Sequence, residues 1–534
     1  MAYYSLHAYD ADVRIPFFYG LRQDDEMATD LRYAAEAENV ETPNGVLQPQ
    51  AGHTLLPESF GEHKIETLMQ FHRRWYDGSG SKDWLVAAVD GNLYCKQKDS
   101  NVEWIKITLP GSVERFQCNV WSWVTYDTTV LIDPNDESSA ITIDVLLISN
   151  AVDGMYMIIP PDRPTKWGDI KELTWGTLKN MTWLEIYSPA WHVNTVDTNG
   201  KKFGVIERFA ERVWAAAIDG EPDMLMYSAP YDPTDWSANQ QIPEDGAGEI
   251  NQPSWDGDSF TALRAFGDQL VAFKGKRVWR VMGVSPGEYT FQEQYGGGTL
   301  YPNTLAVSGE RIYLAERDGI AVYDGMTVNP FMRNFIEQFW KTVNVAAMDQ
   351  MCAVLHKQKY YLAVPVDGSS VNNALIVYDT QDGSFLLYTD IYIESLMSSD
   401  DKLYATSSSL PGRIMEINYN SWDAGFTSGR QAKWTTPWMD FSYKTIAKGG
   451  YEIYFNPQVK GAPVTFRFSV QTEKKTKSKI VTIQPTTFRE KQKRIRFGGT
   501  GRKFRVTIET LQAPSTAVWR LVGGVHMVVE TDPD

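Results

Sequence analysis

The sequence predicts an all-β chain: a β-propeller of about seven blades followed by a small antiparallel β-sandwich domain. Three observations predict it. Short segments of period two, such as Trp84–Val89, Arg277–Val281 and Tyr451–Phe455, dominate the chain. Ten Asp-Gly pairs punctuate them, beginning at Asp77, Asp90, Asp153, Asp219, Asp245, Asp256, Asp318, Asp324, Asp367 and Asp382. Gly takes positive φ without penalty and Asp tolerates it, so such a pair between strands reads as a hairpin. Finally, a turn–strand–turn–strand unit recurs. Gly267–Phe273, Gly309–Ala315, Lys357–Ala363 and Asp400–Ala405 align, with Leu270, Ile312, Tyr360 and Leu403 equivalent at steps of 42, 48 and 43 residues. A period of ~40–50 residues with several strands per unit is propeller spacing.

Residues 1–79 read as an N-terminal connecting or interface segment, partly helical. Asp24-Asp25-Glu26 precedes a run from Met27 to Ala37 that predicts one helix, and Ile65–Trp75 predicts another. Residues 80–429 hold the propeller. Its early units, Trp84–Tyr94, Val145–Ile159 and Arg212–Tyr227, carry longer inserts, and residues 160–205 fit no unit. Asn334 reads as the N-cap of a helix over Phe335–Val343, with Phe335, Phe339 and Trp340 on one face. Residues 430–534 alternate cleanly, as in Val464–Val470 and Phe504–Ile508, which predicts an antiparallel sheet with one wet face in a sandwich.

Composition bounds the function. The 534 residues are 43% hydrophobic, with 18 Trp, 27 Tyr and 23 Phe, enough to bury a large core. The net charge of −16 is uneven. Residues 430–534 hold 19 basic and 8 acidic side chains, net +11, and the remaining 429 residues are net −27. The N-terminus shows no signal-peptide pattern, and no apolar run reaches the ~18 residues of a membrane span. Cys95, Cys118 and Cys352 are too few and too scattered for a disulfide framework or zinc site, which predicts reduced, mostly buried thiols.

No catalytic constellation, cofactor motif or metal motif stands out. The histidines, His7, His53, His63, His72, His192, His356 and His526, show no i,i+4 pairing. Tyr295–Leu300 is Gly-rich but lacks the Lys-Ser/Thr of a phosphate loop. A propeller glycosidase needs two carboxylates about 5–10 Å apart. None of the 67 acidic residues is distinguished for it, and Asp379–Phe385 lacks the full sialidase box.

The clearest electrostatic feature is basic. Lys474, Lys475, Lys477 and Lys479 form one run, Arg489, Lys491, Lys493, Arg494 and Arg496 a second, and Arg502, Lys503 and Arg505 follow. The first two runs are expected to form a hairpin with one charged exposed side. Such a cluster suits an acidic protein surface, a phosphate backbone or simply a solvated face. These twelve residues are the candidate interface.

Other stretches carry a resemblance. Ala37–Leu47 followed by Gly52, Tyr227–Trp236, Phe260–Lys274 and Gly309–Gly325 resemble the β-propeller tail proteins of tailed phages. Trp434–Phe441 and Trp519–Gly524 resemble the sandwich that often follows the propeller there. The pattern is similar to the tail-nozzle and packaged-DNA-stabilisation proteins of short-tailed phages. That resemblance implies a late, non-enzymatic virion protein of the tail, made in the host cytoplasm. It implies a ring homo-oligomer, commonly of six copies, below the portal and adaptor. Packaged DNA would pass through the ring without specific binding and be retained until ejection. The alternatives are a carbohydrate- or receptor-binding propeller, with Trp191 or Trp255 stacking on sugars, or a propeller glycoside hydrolase.

Overall fold

A computed structural model describes residues 10–23, 30–50, 52–75, 80–131, 140–160, 191–254, 257–294, 296–330, 335–417, 431–440, 448–485, 492–512 and 517–531. Seven four-stranded antiparallel blades surround an axis. Blade 1 comprises Ile65–Trp75, Gly80–Val89, Asn92–Gln97 and Ile105–Lys106. The innermost strands of blades 2 to 7 are Ser122–Leu131, Phe203–Phe209, Phe260–Phe266, Ala306–Ser308, Cys352–His356 and Ser395–Ser399. Leu270, Ile312, Tyr360 and Leu403 each occupy the second position of the second strand of blades 4, 5, 6 and 7, so the sequence repeat is the structural repeat. The early units Trp84–Tyr94, Val145–Ile159 and Arg212–Tyr227 are the middle strand pairs of blades 1, 2 and 3. Asp90-Gly91 turns between strands with φ of 46° and 70°, the left-handed geometry that its residue types favour.

The seventh blade is completed from the other end of the chain. Its outermost strand is His53–Leu55, which pairs with Leu410–Ile417 through Leu55↔Met415, Thr54↔Glu416 and His53↔Ile417. The ring is therefore closed by hydrogen bonds between segments some 360 residues apart, which covers the edge of Leu410–Ile417.

The sandwich packs two sheets. One has the order Asp10–Ile15, Val518–Thr531, Lys448–Lys460, Lys493–Gly501. The other contains Lys433–Thr435, Phe504–Gln512, Val464–Thr472 and Thr476–Ile483. Between them lie Phe455 and Phe468, ring centroids 4.5 Å apart, and Trp519 edge-on to Phe466 at 5.1 Å.

The second sheet does not stop at the domain border. Glu36–Glu38 lies parallel to Phe385–Thr389, the outer strand of blade 6, and antiparallel to Lys433–Thr435. Blade 6 and the sandwich thus form one nine-stranded sheet. Trp434 locks the seam: it is fully buried, meets Phe18 edge-on at 4.9 Å, and donates its indole N–H to the Tyr19 carbonyl at 3.0 Å.

Three sequence expectations are corrected. Ile65–Trp75 is a strand, not a helix, and it places the start of the propeller inside the expected N-terminal segment. Its apolar residues fit both periods, but Thr67, Met69, Phe71 and Arg73 are all buried, and pairing with Gly80–Val89 fixes period two. Residues 30–35 form turns leading into the Glu36–Glu38 strand; the start of the expected helix, Met27–Thr29, lies outside the described residues. Among the described residues of 1–79 the only helical turn is Pro43–Gly45. The Phe335–Val343 helix shrinks to Glu337–Trp340, and its expected cap, Asn334, is outside the described residues.

Candidate interaction surface

The basic runs are not a hairpin. Thr476–Ile483 pairs with Val464–Thr472 in one sheet, and Lys493–Gly501 pairs with Lys448–Lys460 in the other. Thr476–Ile483 and Lys493–Gly501 are each an edge strand of their sheet, and the two edges lie side by side. Arg489 and Lys491 fall in the connection between them, outside the described residues.

Register decides where the charges point. Lys479 is opposite Phe468 and Lys477 opposite Val470, both core residues, so these lysines emerge on the inward side of their strand. Lys493 is opposite Phe455 in the same way. Their stems cover the rim of the core and their ammonium groups reach water; Lys479 Nζ lies 5.9 Å from the Phe497 ring centroid. The outward side carries Ser478 and Thr482, hydrogen-bonded across the strand to Ser469 at 2.8 Å and Thr465 at 3.0 Å. Lysines at an unpaired edge, turned inward, also prevent another strand from adding on.

The remaining candidates divide by partner. Arg496 pairs with Glu452, and Arg494 lies 3.8 Å from the same carboxylate. The Tyr454 hydroxyl and then the guanidinium groups hold the Glu452 carboxyl below its usual pKa. Arg502 and Lys503 sit at an exposed turn; against the effect of burial, their amides donate to Glu473 and hold its carboxyl low. Arg505 belongs elsewhere: its Nε donates to Gln471 at 2.8 Å, its guanidinium stacks 5.2 Å over Trp438, and it approaches Glu36 at the seam. Among the described residues, Lys474, Lys475, Lys477, Lys479 and Lys493 have no carboxylate within ion-pairing distance. These five are the free cations of the edge.

Sequence reasoning missed the seam. Lys433 pairs with Glu36 at 2.7 Å and Thr435 donates to the same carboxylate at 3.1 Å. Partners some 400 residues apart leave no local signal.

The propeller axis holds a cavity of about 480 Å³ lined from all seven blades. Glu66, Trp123, Glu207, Arg264, Cys352 and Glu394 face it. Arg264 lies 3.7 Å from Glu207, whose carboxyl burial pushes up, and Lys64 pairs with Glu394 at 3.1 Å. Among the described residues no three His, Cys, Asp or Glu side chains gather as a metal site. Trp191 is buried against Phe71 and Trp84 and offers no face to a sugar; Trp255 lies outside the described residues. Cys95, Cys118 and Cys352 are free thiols, the first and last buried. No described helix is long and apolar enough to cross a membrane.

Comparison with known proteins adds distant propellers. No family model matches, and no curated protein matches. The computationally designed Ika8 protein is similar at TM-score 0.34 and 9% identity, covering 75% of this chain and all of its own. The Pan2 WD40 domain of Neurospora crassa is similar at TM-score 0.33 and 10% identity, covering 69% of this chain and 95% of its own. An exo-β-1,3-galactanase of Phanerochaete chrysosporium covers 90% of this chain and 99% of its own at TM-score 0.23 and 8% identity. At such values none of them bears on function.

Proposed function

We propose that this chain is a ring-forming structural component of a tailed-phage tail, acting as a nozzle or tail-tube protein rather than as an enzyme. The observation that carries the reading is the nine-stranded sheet. It welds the acidic propeller to the basic sandwich through main-chain hydrogen bonds, so that one copy is a stiff, electrically bipolar block. A binding module on a mobile linker has no use for such a joint, whereas a load-bearing wall does. In this reading copies assemble, six being the number expected from the resemblance, against a portal or adaptor, and packaged DNA passes without specific contacts.

Negative-stain microscopy of the full chain tests the proposal. Rings with an open lumen are the expected result. Particles that stay single over a wide range of concentration and salt, or that bind a glycan array, overturn it. The buried position of Trp191 weighs against the sugar-binding alternative.

A further inference from the structure

Blades 3, 4 and 5 carry an acidic face. In these blades the turn from first to second strand and the loop from third to fourth open on the same rim; in blade 3 they are tied by the Tyr231 N–H donating to the Glu211 carbonyl at 2.9 Å. On blades 3, 4 and 5 these loops are Ala210–Glu211, 228–247, Gly267–Asp268, 283–289, Gly309–Glu310 and 324–327. Together they contain nine acidic residues and no Lys or Arg. The loops are contiguous: a methyl added at Gly287 of blade 4 would lie 3.7 Å from the Glu244 carboxylate of blade 3, and one at Gly325 of blade 5 would lie 3.5 Å from Phe266 of blade 4.

Two further properties mark this face. Glu244, Asp245, Asp268, Glu288 and Glu310 are exposed and have no cation within ion-pairing distance among the described residues. Among them stand exposed apolar side chains, Tyr231 at 69%, Ile242 at 53%, Val284 at 71% and Met326 at 67%. Acids elsewhere find cations, as Asp99 does with Lys402 and Glu221 with Lys201. Self-repulsion on this scale is relieved by a cationic partner.

The same chain offers one. The edge strand Thr476–Ile483 is the last strand of the nine-stranded sheet, five strand steps beyond the outer strand of blade 6. At the usual inter-strand spacing that is ~24 Å outside the propeller. It presents the free cations Lys477 and Lys479, with Lys475 just before it and, from the neighbouring edge, Lys493; Ile480, 61% exposed, lies on the opposite, outward side of the same strand. No ion pair among the described residues joins this edge to the acidic face within one chain. We infer that the basic sandwich edge of one copy docks on the acidic, apolar-studded face of blades 3–5 of a second copy. Lysines seek carboxylates. Because the two surfaces differ, the contact is head-to-tail and propagates; it closes into a ring when the rotation per step suits. The inference rests on the ring-forming reading and names its contact.

Charge swapping on the full chain tests it. An edge variant carries Lys475→Glu, Lys477→Glu, Lys479→Glu and Lys493→Glu. A face variant carries Glu244→Lys, Asp245→Lys, Asp268→Lys and Glu288→Lys. Mass photometry and sedimentation follow assembly, and circular dichroism checks that each variant is folded. Each variant alone is expected to self-associate at least about tenfold more weakly, with wild-type assembly falling as salt screens the contact. An equimolar mixture restores assembly, because each reversed surface then finds a complement. Wild-type assembly that both variants retain overturns this contact and leaves the ring reading standing. A wild-type chain that remains monomeric at low salt and high concentration overturns both.

Discussion

Replacing Trp434 by alanine is expected to separate the sandwich from the propeller energetically. The side chain is fully buried, lies edge-on to Phe18 and donates to the Tyr19 carbonyl, so it joins two segments some 415 residues apart. Trp→Ala in a core costs ~3–5 kcal/mol, which includes the lost edge-on aromatic contact. The orphaned Tyr19 carbonyl adds ~1 kcal/mol. A loss of about 4–6 kcal/mol in a cooperative unit of 150–250 residues lowers its melting temperature by ~8–24 °C. Differential scanning calorimetry should show one transition split in two, the sandwich melting first. Trp434→Phe keeps most of the apolar contact and loses only the N–H, so it should cost ~1–2 kcal/mol and leave the transitions coupled. An alanine variant melting within ~2 °C of wild type, or a phenylalanine variant as damaging as alanine, refutes the seam as the coupling element.

Other substitutions probe the propeller and the edge. Burial, and then the neighbouring Lys357, push the pKa of His356 down to about 4, below its ordinary value. Its neutral form is favoured by folding, so the stability it contributes is complete above pH ~6.5 and is lost as pH falls toward 4; His356→Gln should flatten the urea-denaturation profile over that window by up to about 3 kcal/mol. Lys274 is wholly buried, pairs with Asp223 and donates to the Gln252 carbonyl at 2.8 Å. Lys274→Met leaves the Asp223 carboxylate without its ammonium and should cost ~3–5 kcal/mol in urea titrations, an expectation sunk by a neutral effect. Valine at both Lys477 and Lys479 turns a guarded edge into an apolar strand; light scattering should rise on incubation, whereas solubility equal to wild type would show that these lysines do not guard it.

The fold was legible where information is local. Leu270, Ile312, Tyr360 and Leu403 share a register because each blade repeats the same hairpin, and turn chemistry marks its ends. Closure was not legible, because a three-residue strand, His53–Leu55, has too little pattern to announce a partner some 360 residues away. Ile65–Trp75 misled because its apolar positions satisfy both periods until a paired strand selects one. The cluster of positive charge could be counted from the sequence, but its shape could not. Which lysines face the core rim depends on register against Phe468, Val470 and Phe455, and Arg505 is drawn to the seam by Glu36 and Trp438.

The size of the axial cavity constrains any conduit. A space of about 480 Å³ crowded by Trp123, Glu207 and Arg264 cannot pass a duplex whose grooves alone are ~6–12 Å wide. If DNA passes this protein, it passes between copies, not through a propeller. The head-to-tail contact then carries an electrostatic consequence. It uses acids of blades 3–5 against lysines of the sandwich edge, which neutralises the basic cluster where phosphates would otherwise adhere. Of the −27 carried by the rest of the chain, nine acids lie in those loops, so the surfaces left for a lumen keep an excess of negative charge. In the proposed ring, docking and a non-adhesive wall would follow from one partition of charge, and a lumen mapped as positive in an assembled ring would contradict the non-adhesive wall.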